Sequence, residues 1–128
     1  MIYKLIFDEE FKKQLKKAKI DYALISNIFD KIEQIGPDAG KLIDSKLFLY
    51  EFKMKRPPLR IYFKPNLINN DIYMLAIEMK KSEKMQQKLI DYLKRILREK
   101  FFFIIFFSLD IYFKFKKTFI EFSISKSF

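Results

Sequence analysis

The residues best able to do chemistry lie in one stretch, Tyr50-Glu51-Phe52-Lys53-Met54-Lys55-Arg56-Pro57-Pro58-Leu59-Arg60-Ile61-Tyr62-Phe63-Lys64. Apolar and polar residues alternate on both sides of Pro57-Pro58. Proline cannot donate to a β-ladder, so the pair marks a turn between two strands. In a hairpin about that turn, Lys53 and Lys55 share one face with Arg60, Tyr62 and Lys64, while Phe52, Met54, Ile61 and Phe63 turn to the core. Four cations and one aromatic ring on an open face make a platform for RNA, the cations binding phosphate and the ring stacking on a base. Arg56, in the turn, and Lys80, Lys81 and Lys84, after the next strand, extend the basic rim. The same pattern also describes a solvated strand face and a charged turn leading into a helix.

Composition narrows the chemistry further. The 128 residues include no cysteine and no histidine. This removes disulfides, thiolate zinc sites, the commonest metal ligand and the side chain best suited to proton transfer near neutrality. Catalysis would rest on Lys, Arg, Tyr, Ser, Asp or Glu. Only Gly36 and Gly40 are glycines, too few for a phosphate-cradling loop, so ATP- and NAD-dependent activities fall away and no cofactor or metal is expected. The formal charge is +10, from 26 basic and 16 acidic residues. A field of that size favours polyanionic partners and speeds encounter with them.

The elements that must hold the basic hairpin follow from periodicity. Ile2 to Phe7 alternates as a first strand. Asp8 suits a helix N-cap, Glu9 and Glu10 suit the first turn, and Phe11, Leu15 and Ala18 form an apolar stripe among Lys12, Lys13, Lys16 and Lys17. A second helix from about Asp21 turns Leu24, Ile25, Ile28, Ile32 and Ile35 inward and stops at Gly36-Pro37. The two helices form an antiparallel hairpin. A period of two begins at Lys46, and Asn69-Asn70-Asp71 separates the hairpin from a strand over Ile72 to Met79. Ser82 caps a last helix with Met85, Leu89, Leu93 and Ile96 on its inner stripe. The expected fold is α+β, in the order β-α-α-β-β-β-α: an antiparallel meander packed on an N-terminal helical hairpin and a C-terminal helix.

One domain is expected over residues 1–100, followed by an extension over 101–128 that holds ten of the 16 phenylalanines. The extension reads either as a poorly constrained tail or as an extra β-hairpin. Charge returns at Asp8 before any signal-like apolar segment develops. The longest uncharged run, Phe101 to Leu109, is about half of what a membrane-spanning helix needs. A cytoplasmic protein without a membrane partner is expected.

The layout and the hairpin resemble the RelE/ParE toxin superfamily, in particular its HigB-like branch. The resemblance rests on Leu49-Tyr50-Glu51-Phe52-Lys53, on Arg60-Ile61-Tyr62-Phe63, and on Ile72 to Met79 followed by Lys80-Lys81-Ser82-Glu83-Lys84, and it covers residues 2–98. It implies the toxin of a type II toxin–antitoxin system, bound by a cognate antitoxin, and an endoribonuclease cutting mRNA on the ribosome by attack of a 2′-OH on its own phosphate. By position the strand lysine falls on Lys53, the phosphate-clamping arginine on Arg60 and a second arginine on Lys81. The first lysine of the family pair falls on Glu51, and the late tyrosine near Gln87, with Tyr92 the nearest phenol. In a nuclease Arg60 would stabilise the charge developing on phosphorus, Lys53 or Glu51 would take the 2′-OH proton, and Lys81 or Tyr92 would assist the leaving oxygen. The departures at Glu51 and Gln87 suit the ParE-like alternative, a toxin that binds DNA gyrase without nuclease chemistry. A degenerate toxin that only binds its antitoxin is a third reading.

Overall fold

The computed structural model describes residues 2–99. The expected extension over 101–128 lies outside them. The chain divides into two compact units, Met1–Leu93 and Lys94–Phe128.

Strand β1, Lys4–Phe7, leads into helix α1, Glu9–Ala18, and helix α2, Tyr22–Ile35. Each helix begins where a short acid can cap it. Asp8 accepts from the Phe11 amide at 2.7 Å, and Asp21 accepts from the Leu24 amide at 3.2 Å. A 3-10 turn over Gly36–Ala39 follows, then β2, Lys41–Asp44, β3, Leu49–Lys53, β4, Leu59–Pro65, and β5, Asp71–Met79. Residues 83–99 form helix α3, with Ser82 Oγ accepting from the Met85 amide at 3.1 Å as expected of its cap.

The α+β class and the expected element order hold, with three differences. The sheet has five strands in the order β1-β5-β4-β3-β2, because Lys41–Asp44 adds an edge strand the sequence reading omits. Lys-Leu-Ile-Asp is four residues with no alternation, and only β3 holds it, so it carries no period to detect. The next strand starts at Leu49 instead of Lys46, since Ser45 to Phe48 form a turn in which Phe48 takes φ 52°. The sheet is also mixed: β1 runs parallel to β5, with Lys4 opposite Asp71 and Phe7 opposite Met74.

One face of the sheet packs on α1 and α2. Leu5, Phe52, Leu59, Ile61, Phe63, Ile72, Met74 and Ile77 meet Phe11, Ile25, Ile28 and Ile32 in a single core. Phe7, Phe11 and Phe29 join β1, α1 and α2, with ring centroids 5.2–6.2 Å apart. Gly36 takes φ 63°, and an added Cβ there would sit 2.5 Å from the Tyr3 ring. Only glycine meets both demands.

On β5 the pairing with β4 shifts by one residue. Tyr62 faces Ala76, while Phe63 faces Met74, leaving Leu75 as a bulge. The bulge explains how Ile72 and Met74 before it, and Ile77 after it, all reach the same core. Opposite that core, Leu49, Tyr62 and Ala76 are also buried, so the second sheet face is not open.

Candidate nucleic-acid interface

The hairpin parity read from the sequence holds. Across β3 and β4, Lys53 lies opposite Arg60 and Glu51 opposite Tyr62. On β5, Glu78 lies opposite Arg60 and Ala76 opposite Tyr62. Lys53, Arg60 and Glu78 thus form one cross-strand row, with Glu51, Tyr62 and Ala76 as the next.

The expectation that this face is open is wrong for three of its residues. Tyr62 is fully buried, so it offers no ring to a base in this arrangement. Burial drives its phenol above the ordinary tyrosine range, and the neighbouring Glu51 carboxylate pushes the same way. Arg60 is 4 % exposed. Its Nη1 donates to the carbonyls of Met54 at 2.8 Å and Leu59 at 3.0 Å, which bracket the turn. The backbone closes the same turn, as the Met54 amide donates to the Leu59 carbonyl at 3.0 Å. Arg60 Nε is buried with no hydrogen-bond partner. Lys64 is half-buried, donates to the Leu47 carbonyl and lies 5.4 Å from the centre of the Phe48 ring. Its desolvation lowers the ammonium pKa. A half-polar alternation reveals which face a residue takes, but a long polar side chain on that face can find an internal acceptor.

The remaining cations are gathered more loosely. Lys53, Lys55, Arg56, Lys81 and Lys84 are exposed. Lys80 pairs with Glu83 in the first turn of α3, and its amide donates to the Pro58 carbonyl at 2.6 Å, tying the end of β5 to the hairpin turn. The hydrogen bond and charge of Lys80 hold the Glu83 carboxyl below its ordinary value, with Arg60 and Lys53 adding to the pull. Burial raises the Glu78 carboxyl, against the pull of Lys81 and Arg60. Lys53, Arg60, Lys80 and Lys81 therefore act on shared carboxylates and belong to one electrostatic cluster. Two acids moderate it.

Glu51 is tied in from a residue the sequence reading passed over. Gln86 Nε2 donates to Glu51 Oε2 at 3.0 Å and reaches the Tyr62 hydroxyl at 3.3 Å. Gln87, where the family tyrosine was placed, points away and bonds Asp91 at 2.9 Å. Tyr92 is 49 % exposed and six residues beyond Gln86, a helical rise of about 9 Å. The signal for Gln86 was available: it follows the Ser82 cap by four residues and so begins the second helical turn. Gly40 assists from the other side, because an added Cβ there would lie 2.8 Å from the Glu51 carbonyl oxygen. Among the described residues no group of three or more acids is gathered to hold a metal ion, and no helix is long and apolar enough to cross a membrane.

A mixed sheet with helices, and cations gathered at the end of its central hairpin, defines a small α+β protein. The fold is that of the RelE toxins. A mutant of the E. coli toxin RelE in the free state superposes with a TM-score of 0.54 at 14 % identity, covering 72 % of this chain and 98 % of that one. The RelBE2 toxin–antitoxin complex from Mycobacterium tuberculosis contains a chain that superposes with a TM-score of 0.50 at 10 % identity, covering 62 % of this chain and all of that one. No protein-family model matches the sequence, and no curated protein does.

Proposed function

We propose that this chain is the toxin of a type II toxin–antitoxin pair, that it works in the cytoplasm on ribosome-bound mRNA, and that a cognate antitoxin neutralises it. The observation that carries the reading is the opposition of Lys53 and Arg60 across β3 and β4, next to Lys80 and Lys81 at the end of β5. The RelE fold and the lack of histidine agree with it, and the lysine-rich turn after β5 favours the HigB-like branch. In this mechanism the 2′-oxygen attacks the adjacent phosphorus and the 5′-oxygen leaves, giving a cyclic phosphate and a 5′-hydroxyl. Exposed Lys53 would take the 2′ proton in its neutral amine form, while Glu51 already accepts from Gln86. Arg60 would bind the phosphate as charge builds on it once its guanidinium turns outward from the two carbonyls that hold it buried. Lys81 would assist the departing oxygen, and Lys55, Arg56 and Lys84 would hold flanking phosphates.

A second reading has its own support. Arg60 Nη1 is already engaged by two carbonyls and Glu51 replaces a lysine, so a toxin that binds its target or antitoxin without cutting RNA also fits. Controlled expression in a bacterium decides between them. Growth arrest with new 5′ ends in translated mRNA, mapped by primer extension, supports the nuclease. Arrest with intact mRNA and gyrase-dependent DNA breaks would establish the gyrase-directed alternative, and no arrest would leave antitoxin binding alone.

A further inference from the structure

The chain has no histidine, yet RNA cleavage by a 2′-oxygen needs two proton transfers, one from the attacking oxygen and one to the departing 5′-oxygen. In-line displacement puts those oxygens on opposite sides of phosphorus. A base and an acid must therefore flank the group that holds the phosphate. The sheet supplies such a row: Lys53 of β3 lies opposite Arg60 of β4, and Glu78 of β5 lies opposite Arg60 from the other side. Side chains at directly paired positions share one face. With strands about 4.8 Å apart, Lys53 and Glu78 stand roughly 10 Å from each other, with Arg60 between them.

Of the acids beside the hairpin, Glu78 is the least engaged. Glu51 accepts from Gln86 at 3.0 Å, and Glu83 pairs with Lys80. Among the described residues no hydrogen bond or ion pair holds the Glu78 carboxyl. Glu78 is half-buried and lines a cavity of about 410 Å³ between α1 and α3, so it meets open volume as well as packed side chains. The titratable groups around it are Arg60 and Tyr62 on β4, Lys81 beyond β5, and Lys17 across the cavity on α1. Helix α3 contributes Met85 and Leu89. Burial outweighs the attraction of Lys81 and Arg60 and raises the carboxyl, the direction that an acid working near neutrality requires.

We propose that Glu78 is the general acid of the nuclease, giving its proton to the 5′-oxygen as the bond from phosphorus to that oxygen breaks. The inference rests on the nuclease reading and adds a residue to it. The 2′-oxygen loses its proton to the Lys53 amine and bonds to phosphorus. Arg60, turned outward, holds the non-bridging oxygens, and the 5′-oxygen departs with the Glu78 proton. Lys81 stabilises the carboxylate that remains. Water then returns the proton from the Lys53 ammonium to Glu78, so no further reactant is consumed.

The test replaces the departing oxygen by sulfur, which leaves as a thiolate and needs no proton. Ribosomes programmed with mRNA carrying oxygen or sulfur at the mapped cleavage linkage are incubated with the full chain. Glu78→Gln should cut the oxygen linkage roughly 100-fold more slowly than the parent, and the sulfur linkage within about threefold of it. Glu78→Asp, which keeps a carboxyl, should recover about tenfold of the loss. In the unaltered chain the ratio of oxygen to sulfur rates should fall about tenfold per pH unit above the Glu78 ionisation, because only the oxygen linkage needs the protonated acid. A ratio independent of pH in the unaltered chain overturns the proposal and leaves the nuclease reading standing. Equal slowing of both linkages in a Glu78→Gln chain with an unchanged urea midpoint does the same. If the unaltered chain cuts neither linkage, the nuclease reading itself fails and the proposal falls with it.

Discussion

Lys53 and Arg60 lie directly opposite one another across β3 and β4, two like charges at paired positions. Such pairs ordinarily destabilise a sheet. Here Glu78 continues the row on β5, Glu83 responds to both cations, and the Arg60 guanidinium turns toward the carbonyls of its own turn. The repulsion is moderated without being neutralised, which is the condition for an anion to be drawn in.

Arg60 has two duties, and substitutions should separate them. Arg60→Ala removes hydrogen bonds from a charged donor to two carbonyls and should cost about 2–3 kcal/mol of stability, read as a lower urea midpoint. In a nuclease it should also slow RNA cleavage roughly 100- to 1000-fold, the usual loss for one transition-state donor. Lys53→Met, at an exposed position, should slow cleavage with the urea midpoint unchanged. Full cleavage by a folded Arg60 variant would rule out the catalytic role.

Lys64 and the turn cations should behave differently toward salt. Lys64→Ala should lower stability by about 1–2 kcal/mol, through its lost bond to Leu47, while leaving the salt dependence of RNA binding unchanged. Lys55→Ala and Arg56→Ala should leave stability alone and each reduce the slope of log K against log salt by about 0.7. Fluorescence anisotropy across a salt series reads both. A reduced slope for Lys64→Ala would return that side chain to the interface.

Gln86 and Gln87 are neighbours in sequence with opposite expectations. Gln86→Ala withdraws a donor from Glu51 and should cost about 1–2 kcal/mol in thermal unfolding, whereas Gln87→Ala should stay within about 0.5 kcal/mol of the parent. Equal effects would mean that α3 is rotated from the orientation described.

Tyr62 predicts how the fold meets alkali. Its phenol titrates higher in the folded chain than in the unfolded one. Its contribution is therefore fully present below about pH 10, where the unfolded phenol ionises, and declines as pH rises beyond that. The urea midpoint should fall above that pH, and Tyr62→Phe should flatten the fall. An identical alkaline profile in the variant would show that Tyr62 ionises as freely folded as unfolded.

The parts legible in the sequence are those written as period and punctuation. Asp8 caps the helix it was expected to cap, the second helix begins at Asp21 as its start was read, and Pro57-Pro58 sets a register in which Lys53 and Arg60 meet. Partnership was less legible. Arg60, Tyr62 and Lys64 alternate as a solvated face would, yet each is held inside by an acceptor or neighbour far from it in the pattern: Met54, Gln86 and Leu47. The parallel placement of β1 beside β5 depends on a contact some 65 residues away, and four residues of β2 are too few for a period.

The bulge at Leu75 sits immediately beyond Met74, the last residue of β5 that β1 accompanies. Extra residues of this kind bend a strand and often end its pairing. A single insertion thus separates the sheet's closed margin from its accessible one. Deleting Leu75 would leave Ala76 facing Tyr62 and Met74 facing Phe63 but straighten the strand, while β1 would still stop at Phe7, where Asp8 caps α1.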